Sequence, residues 1–249
     1  MNREYWVNRI KKHGHTGWAD NLTYIYDQNM RLSLVKNILI KYFNNPVNIS
    51  LDYGCGSGDF SCLLAKYSNK VIGVDIANEI VEIANANYPE QNIEFSNIDT
   101  EIFTNYSYQV INLITVFQHM LDDDKLEEII LNLYNLLADD GIIIIIDSFG
   151  LKEKSEYLKS RNYHEFVQLL NKSGFDVLET HNLYHPQGLP TKIFELYSRN
   201  YFIRLLNKIK LYSILNKIST LVSNFDNPIV ISETGTKLII ARKSNYGIG

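Results

Sequence analysis

Two cysteines, Cys55 and Cys62, are all that 249 residues contain. Seven positions apart around one loop, they make a poor disulfide framework and match no metal-ligand spacing. Reduced thiols in a cytosol are the expectation. Positive charge is not in excess either. Lys and Arg number 24 against 28 Asp and Glu, a net charge of −4, so the overall field favours neither nucleic acid nor an anionic membrane. No apolar run is long: "GIIIIIDSFG" falls far short of the roughly 20 residues that cross a bilayer. The opening "MNREYWVNRIKKHG" is charged and lacks the apolar stretch of a secretory leader. Internal repeats and low-complexity linkers are missing as well. These absences lead to an expected cytoplasmic protein with no membrane and no nucleic-acid partner.

What is present is ordinary for a globular chain: 45% apolar and 21% charged residues. The length suits one α/β core with an elaboration better than two average domains. Residues 1–45 have a helical texture, with Met30, Leu34, Ile38 and Phe43 at amphipathic spacing, ended by Asn44, Asn45 and Pro46. Strands then alternate with helices. "VNISLDY", "KVIGVDI", "IEFSNID", "YQVINLITVF", "GIIIIIDS", "FDVLETHNLY" and "TKLIIARK" read as seven strands. "DFSCLLAKYS", "NEIVEIANANY", "DDDKLEEIILNLYNLLAD" and the segment from Tyr163 to Ser173 read as the intervening helices. Such alternation implies right-handed crossovers and a doubly wound, mostly parallel sheet with helices on both faces. The fourth and fifth strands are solidly apolar, as strands buried on both sides must be. The expected division is an N-terminal helical cap over 1–45 and a core over 46–184 and 236–243. An amphipathic helical insertion over 185–235 completes it, a lid or a homodimer surface.

The stretch "LDYGCGSGDF" sets the ligand question. A glycine loop beyond the carboxyl end of a strand lets backbone approach a ligand closely. The dinucleotide spacing G-x-G-x-x-G is not met, because Asp59 stands where its third glycine would be, and no G-K-[ST] follows. Asp75, about 20 residues on and at the end of the second strand, is placed to accept the hydroxyls of a ribose. Asp99, ending the third, can accept from an adenine amino group, and Asp52 precedes the glycines near a ligand ammonium. Ribose, adenine and an amino-acid head describe S-adenosylmethionine.

At these residues the chain resembles the class I, Rossmann-like S-adenosylmethionine-dependent methyltransferases. The matching segments, "LDYGCGSGDF", "VIGVDIANEIVEIAN", "NIEFSNIDTEIF", "NLITVFQHMLDDDKLEEII" and "LADDGIIIIIDS", cover roughly 51–150 in the family's order. The resemblance implies an antiparallel seventh strand. It implies that Gly54, Gly56 and Gly58, with Cys55 between them, cradle the cofactor's amino-acid part. Asp75 would hold the ribose, Ile76 would pack on the adenine, and Asp99 with the backbone at Ile98 would read its amino group. Thr115 would approach the methionine portion. Gln109 stands where the family commonly has Asp, at the far end of a strand.

Methyl transfer to oxygen needs a base to take the acceptor's proton. His119 follows the fourth strand and, with an unperturbed pKa of about 6.5, suits that role. The competing reading is a histidine that packs on the next helix and orients a loop. In "KKHGHTGWADNLTYIYDQNMR", Tyr26 and Arg31 could meet the cofactor carboxylate, and His13, His15 and Trp18 could line an acceptor pocket; the alternative is a capping helix with packed aromatics. His181, Tyr184 and His185 follow the sixth strand, and Lys192, Arg199 and Arg204 offer charge for an anionic acceptor. These histidines match no metal motif, so no metal is expected. The expected function is O-methylation of a small polar acceptor, such as a sugar or phosphorylated intermediate in surface-polysaccharide or natural-product biosynthesis. N-methylation, an RNA or protein methyltransferase, and a catalytically silent cofactor-binding subunit are the alternatives.

Overall fold

The computed structural model describes residues 3–17, 21–89, 92–150, 156–183 and 234–244, with the side chains of 21–23, 25 and 26 left out. Two helices open the chain, α1 (Arg3–His13) and α2 (Asn21–Tyr42). Then come β1 (Val47–Tyr53), α3 (Asp59–Leu64), β2 (Ser68–Asp75), α4 (Asn78–Asn87), β3 (Ile93–Asn97), β4 (Tyr108–Ile114) and α5 (Asp123–Leu136). β5 (Leu137–Phe149), α6 (Tyr163–Lys172), β6 (Phe175–Asn182) and β7 (Gly235–Lys243) complete the described elements.

The strands form one sheet in the order β3-β2-β1-β4-β5-β7-β6. β1 pairs in parallel with β2 and β4, β2 with β3, and β4 with β5, while β7 runs antiparallel to both β5 and β6. The expected doubly wound, mostly parallel seven-stranded sheet is therefore found, with its last strand reversed. Winding changes direction between β1 and β4, which opens a crevice at their carboxyl ends.

β5 explains why the sheet is covered twice. Ile142, Ile144 and Ile146 pack with Val35 and Leu39 of α2 and Phe60 and Leu64 of α3. Ile143 and Ile145 pack with Leu126, Ile130 and Leu133 of α5 and Phe166 of α6. A strand whose side chains alternate between two apolar layers has no polar face to show. Each such side chain contributes about 1.5–3 kcal/mol of burial. Local signals agree with the fold. Asp122 caps α5, accepting from Asp124 N–H at 3.1 Å and Lys125 N–H at 3.4 Å. Asn162 caps α6, accepting from His164 N–H at 2.8 Å.

Three elements depart from the sequence reading. α3 ends at Leu64, and a turn through Tyr67 lets β2 begin at Ser68, earlier than the apolar run suggested. β5 begins at Leu137, and its register with β4 shifts between Tyr108 and Val110. Asp99 lies beyond β3, in a one-turn 3-10 helix over Ile98–Thr100 whose start is capped by the Asn97 side chain. Almost all of the expected 185–235 insertion, with Lys192, Arg199 and Arg204, lies outside the described residues.

Candidate functional site

One cavity of about 840 Å³ fills the crevice. Its floor is the turn after β1. Gly54, Cys55 and Gly56 line it, with φ of +79° at Gly54 and +53° at Gly56, a region that glycine enters freely. A Cβ on Gly56 would sit 2.8 Å from Thr16 Oγ1, so only a bare backbone lets the N-terminal segment seat here. Gly58 behaves differently from expectation. It does not line the cavity but caps α3, and a Cβ there would meet the Tyr88 and Phe95 rings at 2.8 and 3.0 Å. It is a packing glycine on the far side of the turn.

Asp75 ends β2 and lines the cavity. Its Oδ2 accepts from Gly56 N–H at 2.9 Å and its Oδ1 from Ile76 N–H at 2.8 Å. Burial pushes its carboxyl up, and the backbone N–H groups of Gly56, Ile76 and Ala77 oppose that. Beyond these N–H groups the carboxylate keeps acceptor capacity for a ligand hydroxyl. Ile76, Ile98 and the exposed Asp99 line the same end. Asp52 reaches the cavity from beneath the glycine turn but is committed to the protein. It accepts from Ser61 Oγ at 2.6 Å and Asn112 Nδ2 at 2.8 Å, and burial raises its pKa to about 6. The Cys55 thiol is buried and pushed up by burial and by the charges of Asp75 and Asp52, which suits a packed loop residue and not a nucleophile.

Thr115 follows β4 with φ of +56°, uncommon for a β-branched residue. Its N–H donates to Ile146 O at 2.6 Å and its hydroxyl to Ile114 O at 2.7 Å, so the two central strands hold the strained backbone in place. Strain of this kind gathers at ligand sites. His119 lies one short turn further on. Its Nδ1 is 2.7 Å from the Tyr157 carbonyl, which can only accept, so the proton sits on Nδ1. Nε2 then carries the lone pair, 3.1 Å from the Gln118 amide nitrogen. Burial lowers the ring's pKa to about 4; the positive field of Arg9 adds to this, while the Tyr157 carbonyl acts in the opposite direction. The imidazole is therefore neutral near neutral pH, and the ring lines the cavity with its Nε2 on the Gln118 amide.

The roof is the N-terminal segment. Arg31 lines the cavity but is paired with Asp27 at 2.7 Å. His13 and His15 do not line the cavity, contrary to expectation. His15 is buried, stacked on the Tyr24 ring at 3.6 Å. Tyr24 in turn donates to Asp59 Oδ2 at 2.7 Å. Trp18, Tyr184, His185 and the Tyr26 side chain lie outside the described residues. His181 is remote, on edge strand β6 and paired with Glu179 at 2.9 Å. Gln109 sits at the opposite end of the sheet, bonded to Asn48 N–H and Asp140. The sequence reading missed Tyr5, Trp6, Arg9 and Tyr157, all lining the cavity. Their α1 spacing, aromatics and Arg within one turn, was a weak signal, and Tyr157 had none.

Residues 51–141 match the family described as a methyltransferase domain. Those residues are a methyltransferase domain, set in a sheet of class I, Rossmann-like topology. Its cofactor is S-adenosylmethionine. The chain is 30% identical over 104 residues to a ubiquinone biosynthesis O-methyltransferase of Coxiella burnetii, covering 38% of this chain and 44% of that one. It is 30% identical over 141 residues to a ribosomal protein L11 methyltransferase of Campylobacter fetus, covering 53% and 50%. The chain thus spans about half the length of the curated relatives it matches. In fold it resembles the magnesium protoporphyrin IX methyltransferase of Synechocystis PCC 6803 with bound cofactor, at a TM-score of 0.61 and 16% identity over 97% of this chain and 95% of that one. The domain's cofactor fits the crevice on the structure's own terms: a side-chain-free turn, an anchored carboxylate with acceptor capacity to spare at Asp75, and an apolar wall at Ile76 and Ile98. Among the described residues no group of three or more His, Cys, Asp or Glu could hold a metal ion, and no helix is long and apolar enough to cross a membrane.

Proposed function

We propose that the chain transfers a methyl group to a hydroxyl oxygen of a small polar acceptor, such as a sugar or a phosphorylated intermediate. The observation that carries this is one cavity of about 840 Å³ lined by both Asp75 and His119, whose Nδ1 is held by the Tyr157 carbonyl so that Nε2 is the basic nitrogen. A pocket of that size suits a cofactor with a small partner. Bound S-adenosylmethionine supplies a methyl group already activated on a sulfonium. The protein's part is positioning and proton handling. The glycine turn and Asp75 fix the donor, and Thr115 shapes the wall beside it. His119 Nε2 exchanges its Gln118 partner for the acceptor O–H and takes the proton as the new carbon–oxygen bond forms. The Tyr157 carbonyl keeps the opposite nitrogen protonated, so the lone pair stays on the reactive one. The net charge of −4 and the enclosing α1 favour a small acceptor over RNA.

Calorimetry with S-adenosylhomocysteine tests the donor half, and absence of binding at micromolar concentration refutes it. Radiolabelled methyl transfer to a panel of hydroxylated sugars and sugar phosphates tests the acceptor half. Label found on RNA or protein and on no small hydroxyl compound overturns it.

A further inference from the structure

The cavity has three cationic side chains among its described lining residues, Arg9, Arg31 and Lys125. Arg31 is neutralised by Asp27, and Lys125 is exposed in the first turn of α5. Arg9 stands apart. No carboxylate among the described residues pairs with it. Its Nε donates to the carbonyls of Thr16 at 2.9 Å and Gly17 at 2.7 Å, Nη2 also donates to Gly17, and Nη1 donates to the Tyr5 hydroxyl at 3.1 Å. Of a guanidinium's five N–H groups these contacts occupy three, leaving one on each terminal nitrogen. The fork is held by neutral groups, and no carboxylate among the described residues pairs with its charge.

Arg9 also belongs to the wall around His119. The Tyr5 ring, one helical turn from Arg9, stacks on the Tyr157 ring at 4.3 Å. The Tyr157 carbonyl holds His119 Nδ1, and the Trp6 ring packs edge-on against His119 at 4.6 Å. One continuous aromatic surface therefore runs from the guanidinium to the imidazole. We propose that Arg9 selects an anionic acceptor: a small hydroxy compound whose carboxylate or phosphate sits on the two free N–H groups of Arg9 while its hydroxyl reaches His119 Nε2. This rests on the acceptor reading above and names its charge class. A planar fork with parallel N–H groups matches an oxyanion in a way a lysine cannot.

The test is calorimetry on protein saturated with S-adenosylhomocysteine, using two matched pairs: 4-hydroxybenzoate against 4-hydroxybenzamide, and glucose 6-phosphate against glucose. In at least one pair the anion binds about tenfold or more tighter in the wild type. Arg9→Gln abolishes the preference, and Arg9→Lys keeps part of it. Equal affinities within both pairs, or a preference that survives Arg9→Gln, overturn the proposal. Selective loss also overturns it: if Arg9→Gln weakens S-adenosylhomocysteine but spares 5′-methylthioadenosine, which lacks the amino-acid head, the guanidinium serves the cofactor's carboxylate. If Arg9→Gln fails to fold, Arg9→Lys decides, with an undiminished preference counting against. Failure of the wild type to bind S-adenosylhomocysteine is a different result, which removes the donor reading itself.

Discussion

Tyr24→Phe removes one oxygen from the contact that seats the N-terminal helices on the glycine turn. Four donors converge on the Asp59 carboxylate: Tyr24 Oη at 2.7 Å, Gln28 Nε2 at 3.2 Å, Ser57 Oγ at 2.8 Å and Tyr88 Oη at 2.6 Å. Two come from α2 and two from the core, so the carboxylate joins the layers. Burial, with the Asp59 charge, pushes the Tyr24 hydroxyl well above its ordinary pKa, which keeps it a donor at any working pH. A hydrogen bond to a charged group contributes about 1.5–3 kcal/mol. Tyr24→Phe keeps the ring stack on His15 and leaves Asp59 three donors, so the lower end, about 1.5 kcal/mol, is expected. That is about tenfold in the opening equilibrium of α2, since 1.4 kcal/mol is a factor of ten. Asp59→Ala loses all four bonds at once, for about 3 kcal/mol or more. The assay is native-state hydrogen exchange, comparing α2 amides with those of β4. The double variant should exchange no faster than Asp59→Ala alone, because the Tyr24 hydroxyl then has no carboxylate to lose. Additive effects, or equal acceleration in β4, would refute the argument by showing global loosening instead of a seated cap.

His119→Asn should lower kcat by about 10²–10⁴-fold with S-adenosylhomocysteine affinity unchanged. In the wild type, kcat/KM should stay flat from neutral pH downward until the ring protonates near its pKa of about 4; a limb near the ordinary histidine value would contradict the buried tautomer. Asp147 accepts N–H bonds from Gln118 at 3.0 Å and Ser148 at 3.0 Å, yet burial raises its pKa to about 7. Because the folded value lies above the unfolded one, its stabilising contribution is complete below about pH 4 and fades as pH rises through about 7. Asp147→Asn should flatten urea midpoints over that window, and an unchanged slope would sink the assignment. Gly58→Ala combines left-handed strain at φ +91° with the Tyr88 and Phe95 contacts, and should cost about 2–5 kcal/mol. Gly235→Ala, at φ +103° with open space, should cost only the strain, about 1–2 kcal/mol. Equal urea midpoints for the two would show that the ring contacts do not matter.

The amino-acid order settled the parallel core by itself. Apolar strands, one of them with five consecutive isoleucines, alternating with amphipathic helices call for a parallel sheet covered on both faces, and the Gly54–Gly56 turn with Asp75 downstream follows from local chain geometry. Residues close in sequence carry those signals, so they survive without a fold. Tertiary structure decided the rest. Whether Gly58 faces ligand or packing depends on Tyr88 and Phe95, some 30 residues away. His15, which the sequence offered to an acceptor pocket, is instead buried against the Tyr24 ring. The role of His119 depends on a carbonyl at Tyr157, and the availability of Arg9 against Arg31 depends on which of them Asp27 reaches. Side-chain chemistry is written in the chain, but a proton's location and a charge's partner belong to distances that only the packed molecule fixes.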